Sequence, residues 1–265
     1  MPSDTPKVML VGAGPGSADL LTVRALKAIE RAEALLYDSL VGEDVLALAP
    51  QRCLRIRTGK RAGGASMKQE EINALMARLA LKGLRVVRLK GGDPSVFGRS
   101  GEERDYLEAR GLEVEIVPGI TAASAAAAQF AFPLTHRGQA RRLLLLTARI
   151  HDGSLDTSGW AEAAADAAAT LCVYMGRESA RQIADGLMAL GRAPQTPALA
   201  IENAGSPRAR LIAAPLADLG SALEVALPDG PVLLVIGEVA ARARSQATAL
   251  PTARTESQCE SLAVA

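Results

Sequence analysis

The stretch Arg88–Glu103, RLKGGDPSVFGRSGEE, decides the fold together with the residues that lead into it. Leu84–Leu89, LRVVRL, is a short, largely apolar run with two adjacent valines, the pattern of a buried strand. KGGDP then falls at that strand's carboxyl end, and the acids of SGEE favour the N-terminus of a following helix. A turn that only reverses the chain needs neither two consecutive glycines nor an Asp-Pro step. Gly91 and Gly92 admit close approach to the backbone, Asp93 offers an acceptor to a ligand ammonium or hydroxyl, and Pro94 stiffens the turn. Open α/β sheets bind ligands here, beyond the carboxyl ends of their strands. A plain turn with helix-opening acids is the alternative.

Upstream of this stretch, strand-like runs alternate with longer amphipathic ones: KVMLVG, LLTVRALKAIERA, ALLYD, EDVLALA, CLRIR and QEEINALMARLALKG. Downstream, GEERDYLEARG and EVEIVPG complete a βα series with five strands, the signature of a mostly parallel sheet covered by helices. A second series follows an Ala-rich helix at about 120–130: RLLLLTA, WAEAAADAAA, TLCVYMG, SARQIADGLMALG, PALAIENA, ARLIAAPLADL and PVLLVIGEV. The expected fold class is therefore α/β, in two lobes of about five strands each: 1–118, 119–244, and a tail 245–265 read as disordered because it loses periodicity. A ligand is expected in the cleft between the lobes.

Composition narrows the function. About half of the 265 residues are apolar (49%), enough for a substantial core. Lys and Arg total 30 against 29 Asp and Glu, so no global field argues for nucleic acid or a membrane surface as partner. The N-terminal MPSDTPK lacks a basic segment leading into an apolar h-region, and runs such as PVLLVIG fall far short of the roughly 20 residues of a spanning helix, so a cytoplasmic protein is expected. Cys53, Cys172 and Cys259 are odd in number and widely separated, and only His136 and His151 accompany them; neither a disulfide framework nor a metal site is expected.

Other motifs leave alternatives open. VGAGPGSADLLT opens the first helix, but Ser17 replaces the third glycine of a dinucleotide fingerprint and Pro15 removes an N–H, so a nicotinamide or flavin reading is weak. Asp38 ends the second strand, as ligand contact or as cap. Lys60 and Arg61, in the Gly-rich RTGKRAGG, meet an anionic group or simply sit in a solvated loop; no P-loop pattern precedes them. The Ala, Ser and Thr of VPGITAASAAAAQ allow close approach of a ligand, of the other lobe or of a second subunit. In PLTHR, Arg137 is a candidate carboxylate fork and His136 a structural or solvated residue.

Taken in order, GAGPGSADLLT, YDSLV, GKRAG, QEEIN, RLKGGDPSVFGRSGEE, VPGITAASAAAA, PLTHR, YMG and ENAGSP resemble the tetrapyrrole methylase family over residues 7–240. The resemblance implies S-adenosylmethionine folded between the two lobes and left as S-adenosylhomocysteine. It implies C-methylation of a small-molecule tetrapyrrole, uroporphyrinogen III at carbons 2 and 7 to give precorrin-2, by a homodimer. Pro15, Gly91, Gly92, Asp93, Val96, Thr121, Ala122, Met175 and Ala204 match the family's cofactor positions. Asp38 and Lys60 match the proton acceptor and donor, Arg99 a further catalytic position, and Arg61, Glu102 and Arg137 the face turned to the substrate. Ser39, Ala65, Ser95, Ser100 and Ala204 depart from the family pattern, where Arg, His, Phe, Gly and Gly are expected. Rival readings are a later corrin or other substrate, a flavin or nicotinamide protein, and a tetrapyrrole-binding chaperone.

Overall fold

A computed structural model describes residues 7–59, 67–148 and 160–244. Lys60, Arg61, Ala65, His151, Cys259 and the expected tail at 245–265 lie outside the described residues.

The first sheet contains β1 (Lys7–Gly12), β2 (Ala34–Tyr37), β3 (Leu54–Arg57), β4 (Val86–Lys90) and β5 (Glu113–Val117), in the order β3-β2-β4-β1-β5. Every pairing in it is parallel. Its central β4 is buried along its whole length, as expected of a strand covered on both faces. Helices α1 (Val23–Glu30) and α2 (Glu43–Ala47) cover one face through Ala25, Ile29, Val45 and Leu46. On the other face, α3 (Gln69–Leu81) and α4 (Ser100–Glu108) bring Ile72, Met76, Leu79 and Leu107. Local signals start these helices: Thr22 Oγ1 accepts from the Ala25 N–H at 3.1 Å, and Glu71 accepts from the Lys68 N–H at 2.9 Å.

The second sheet is also five-stranded, in the order β6-β7-β10-β8-β9, with β6 (Arg142–Thr147), β7 (Ala169–Tyr174), β8 (Pro197–Glu202), β9 (Arg210–Pro215) and β10 (Val232–Ile236). Here only β6 and β7 run parallel, and the remaining pairs are antiparallel. The seven residues 203–209 between β8 and β9 are too few for a crossover helix, so the two strands form a hairpin. The second lobe is thus not a copy of the first.

Helices α6 (Ala161–Ala165), α7 (Ala180–Ala189) and α8 (Leu219–Ala226) cover one face of this sheet, and α5 (Ala122–Gln129) covers the other. Ala123 and Ala126 of α5 pack with Phe130 and Phe132 on Cys172, Leu199, Ile201 and Leu233. Trp160 and Ala164 are likewise buried in the second lobe's own core. The small side chains at Ala123, Ala126 and Ala164 let the helices lie close to their sheet, whereas Ala128, Ala161, Ala165 and Ala167 remain exposed.

At the carboxyl ends of β1, β4 and β5 three backbones touch. A Cβ on Gly12 would lie 2.6 Å from the Gly119 Cα and 2.8 Å from the Gly92 carbonyl oxygen. Gly14 and Gly92 exchange backbone hydrogen bonds of 3.2 and 2.7 Å, joining the first and fourth strand-end loops. Gly12→Ala is expected to destabilise the protein by about 1–3 kcal/mol through overpacking against backbone. Gly101→Ala, in α4 with nothing within 4 Å of the added carbon, is expected to gain about 0.4–1 kcal/mol. Urea denaturation midpoints of the two variants should move in opposite directions.

Candidate functional site

A cavity of about 980 Å³ lies between the lobes. The first lobe supplies Pro15 after β1, Asp38 after β2, and Gly91, Gly92, Asp93, Val96 and Arg99 after β4. From the second come Thr121 and Ala122 at the start of α5, Met175 after β7, Ala204 after β8 and the segment Asp229–Val232. The parallel sheet directs its loops to one edge, and the second lobe closes over that edge.

The lobes meet directly beside the cleft. The Ser17 N–H donates to the Gly205 carbonyl at 3.0 Å, and a Cβ on Gly16 would approach the Ser206 nitrogen to 2.9 Å. Gly16 is therefore small because the second lobe touches it, not because a pyrophosphate does. Gln129 holds the far side of this contact, accepting from the Gly205 N–H and donating to the Ser206 carbonyl, both at 2.9 Å. Across the cleft, the Phe97 and Tyr174 rings stand 5.2 Å apart.

Asp93 is engaged by the protein itself. Its Oδ2 accepts from the Gly119 N–H at 2.9 Å, and its Oδ1 accepts from the Ser95 N–H at 2.8 Å and from the Ser95 hydroxyl. It ties the loop after β4 to the loop after β5. Asp38 accepts from the Leu40 N–H at 2.9 Å and the Gly91 N–H at 3.2 Å, so it caps a turn and the KGGDP loop while lining the cleft; the cap of α2 is Gly42. Gly92 takes φ +70°, and a Cβ there would meet nothing nearer than the Ile120 carbonyl oxygen at 4.0 Å. Its backbone stands bare.

Phe97, Arg99, Met175 and Asn203 also line the cleft, with φ of 54°, 57°, 58° and 51°. Left-handed conformations in non-glycine residues cost of order 1–3 kcal/mol each and gather at ligand sites. Phe97 and Met175 remain 40% and 46% exposed, which leaves apolar surface for a ligand to cover. Tyr174 hydrogen-bonds Thr121 Oγ1 at 2.5 Å and accepts from the Ala123 N–H at 3.2 Å. Burial pushes its phenol up, partly offset by those two bonds.

Two sequence-chosen residues stand apart from the cavity wall. Glu102 pairs with Arg99 in a bidentate contact of 2.6 and 2.9 Å at the surface. Arg137 is exposed, in a turn closed by reciprocal 2.9 Å backbone bonds between His136 and Ala140. Sequence reading missed a cluster that the structure brings together beneath the cleft: Arg88, Lys90, Glu103 and Gln69. Lys90 Nζ lies 2.8 Å and Arg88 Nε 3.2 Å from the two oxygens of Glu103, which is fully buried, and Gln69 Nε2 donates to Glu103 at 3.1 Å. The available signal was a pair of cations two residues apart in an apolar strand, hence on one face. Burial, reinforced by the Arg88 charge, holds the Lys90 ammonium below the usual lysine range against the attraction of Glu103 and Asp38.

On the second lobe, buried Glu202 accepts from the N–H groups of Asp229 and Gly230 at 2.8 and 2.7 Å and from Arg210 Nε at 2.6 Å. Arg177 donates to the carbonyls of Pro228, Asp229 and Gly230. Together they fix the loop that forms the cleft's far wall.

The sequence profile of the tetrapyrrole (corrin/porphyrin) methylases matches residues 7–220. The chain is 46% identical over 232 residues to the S-adenosyl-L-methionine-dependent uroporphyrinogen III methyltransferase, chloroplastic, of Arabidopsis thaliana, covering 88% of this chain and 63% of that protein. It is 46% identical over 233 residues to a siroheme synthase of Azotobacter vinelandii, covering 88% and 50%. The chain thus spans less than two thirds of either relative. Among solved structures, uroporphyrin-III C-methyl transferase from Thermus thermophilus, complexed with S-adenyl homocysteine, superposes with a TM-score of 0.77 at 40% identity over 89% of this chain and 99% of that one.

Burial of Glu202 would raise its carboxyl, but the Gly230 and Asp229 N–H groups and Arg210 hold it below its usual 4.5. A lowered acid stabilises the fold above about pH 4.5, and the contribution is lost as pH falls through the folded-state value. Glu202→Gln should melt at a lower temperature than the parent protein at neutral pH, with the gap closing in acid. Thermal melts across the acid range measure this.

Proposed function

The chain belongs to the tetrapyrrole (corrin/porphyrin) methylases, and on that premise we propose that it is a uroporphyrinogen-III C-methyltransferase. It moves methyl groups from S-adenosylmethionine to carbons 2 and 7 of uroporphyrinogen III, giving precorrin-2. The observation that carries this reading is the cleft itself: bare backbone at Gly92, half-exposed Phe97 and Met175, and left-handed residues from both lobes converge on one cavity. Such a wall suits a ligand with a flat ring, a sugar and a charged tail. Pro15, Gly91, Gly92, Asp93, Val96, Thr121, Ala122, Met175 and Ala204 would hold the cofactor, Asp93 chiefly by fixing the loops around it.

Once bound, the cofactor supplies an electrophilic sulfonium methyl, so the chain's task is alignment and exclusion of water. In this reading Asp38 accepts a proton at the cleft wall and Lys60 donates one. Arg99, Arg61, Glu102 and Arg137 meet the polycarboxylate substrate, Arg99 from the cavity wall and Arg137 from the surface turn. The lobe boundary falls at Pro118-Gly119, since α5 directly after it packs on the second sheet. No helix among the described residues is long and apolar enough to cross a membrane, in keeping with work in an aqueous compartment, the cytoplasm.

Incubation with S-adenosylmethionine and uroporphyrinogen III under reducing conditions should give a mass gain of two methyl groups on the macrocycle. A substrate that binds and returns unchanged would instead favour a carrier. The resemblance further implies a homodimer, with a contact partly on the second lobe, where Ala128, Ala161, Ala165 and Ala167 of the Ala-rich segments remain exposed. Sedimentation at sub-micromolar concentration should show twice the chain mass; an active monomer would overturn that assignment.

A further inference from the structure

The cluster beneath the cleft holds two cations against one buried acid, an arrangement that packing alone does not require. Lys90 and Arg88 project from the same face of β4, each 5% exposed, and Glu103 reaches both from α4. Arg88 is tied down further by Thr58 Oγ1 at 3.2 Å and the Leu89 carbonyl at 3.3 Å. Among the described residues, Glu103 alone bonds the Lys90 ammonium, and Lys90 lines the cavity. The β2–β4 register pairs Tyr37 with Leu89, which puts Asp38 beside Lys90 at the strand ends. Gly98 leaves room for the lysine stem, since a Cβ there would sit 3.2 Å from Lys90 Cε.

Glu103 is shared by two cations, Arg88 at 3.2 Å and Lys90 at 2.8 Å, and of the two only a lysine can give up its proton. Among the described residues, the titratable groups that act on Lys90 are Asp38 just after β2, Arg88 from its own strand and Glu103 from α4; Gln69 from α3 is neutral. Among these, Lys90 is held below its ordinary range by burial and by Arg88. A lysine at the floor of a cleft, held below its ordinary range by burial and backed by a carboxylate, is suited to take up a proton, and its ammonium has its counter-ion in place.

We propose that Lys90 is a second acid–base group of the cleft, taking up the proton that the macrocycle loses after methylation. This rests on the methyl-transfer reading. Methylation of a neutral pyrrole carbon leaves the macrocycle with one excess positive charge. A ring proton departs, its bonding pair stays on the macrocycle, and the proton joins the lone pair of Lys90 Nζ. The new ammonium is held by Glu103 and returns its proton to water when the cleft opens to solvent. The competing account is that the cluster only pins α4 to β4.

Lys90→Arg separates the two accounts, because arginine keeps the charge and the bond to Glu103 but cannot be deprotonated. It should lower kcat by about 100-fold or more, with S-adenosylhomocysteine affinity and substrate KM little changed. Glu103→Gln removes the counter-ion, favours the neutral amine, and should move the limb on which kcat rises with pH toward lower pH. A third readout needs no turnover. The sequence contains only six lysines, so in 15N-lysine-labelled protein the Lys90 signal, identified by its loss in Lys90→Arg or Lys90→Gln, should titrate below the others. An active parent protein with an equally active Lys90→Arg overturns this inference alone, as does a Lys90 signal that titrates with the surface lysines. An inactive parent protein overturns the methyl-transfer reading and the inference with it.

Discussion

The contact of three bare backbones, at Gly12, Gly92 and Gly119, is the constraint from which the rest of the molecule follows. Parallel strands in a sheet stand about 4.8 Å apart, and the loops that leave their ends ordinarily diverge to make room for side chains. Here the loops after β1, β4 and β5 stay in contact because Gly12 and Gly119 carry no Cβ: one on either would press on the other's backbone and on the Gly92 carbonyl oxygen. The third of these loops leads directly into α5, so the close approach also sets where the second sheet begins. Asp93 then locks the arrangement, since a single carboxylate accepts from two successive loops. The cleft exists because the chain returns to the same point from which its ligand-facing loops depart.

Behind this point lies a concentration of buried charge that a hydrophobic packing argument would not place there. Withdrawing Arg88, Lys90 and Glu103 from water is costly, and ion pairs in such surroundings often do no better than apolar residues of similar volume. Their geometry is specific, however: Glu103 lies one turn into α4, four residues after Arg99, and draws the start of that helix onto β4. That fixes Phe97 and Arg99, in left-handed backbone, at the wall of the cavity. The second lobe uses the same device, with Glu202 and Arg177 gripping the N–H and C=O groups of one short loop. Both walls of the cleft are held by charged groups, of which Arg88, Lys90 and Arg177 also line it.

Alternation of apolar runs with amphipathic segments was sufficient to read two α/β lobes and the number of strands, because burial imposes period and length on sequence locally. The strand-end glycines and Asp38 were legible for a similar reason: their position after an apolar run identifies the carboxyl edge of a sheet. The order β3-β2-β4-β1-β5 and the mixed pairing of the second sheet were not legible, since they depend on which distant strands find each other. The Ala-rich segments stay ambiguous for the same reason: low bulk signals close packing but does not name the surface packed against, and here one side of each packs on the chain's own second sheet.

The sequence by itself determined the element types and the carboxyl-edge position of Asp38 and the KGGDP loop, which follow from neighbours along the chain; wall residues such as Met175 and Ala204 were reached only through the family resemblance. Only the tertiary structure decided what those residues do for one another. It set Gly16 against the second lobe, engaged Asp93 with two loops, and left Arg137 outside the cavity wall. It also joined Arg88 and Lys90 to Glu103, 15 and 13 residues further on. Hydrogen bonds and charge pairs act over a few ångströms in space, and the separations that set their energies come into existence only when the strands and helices pack.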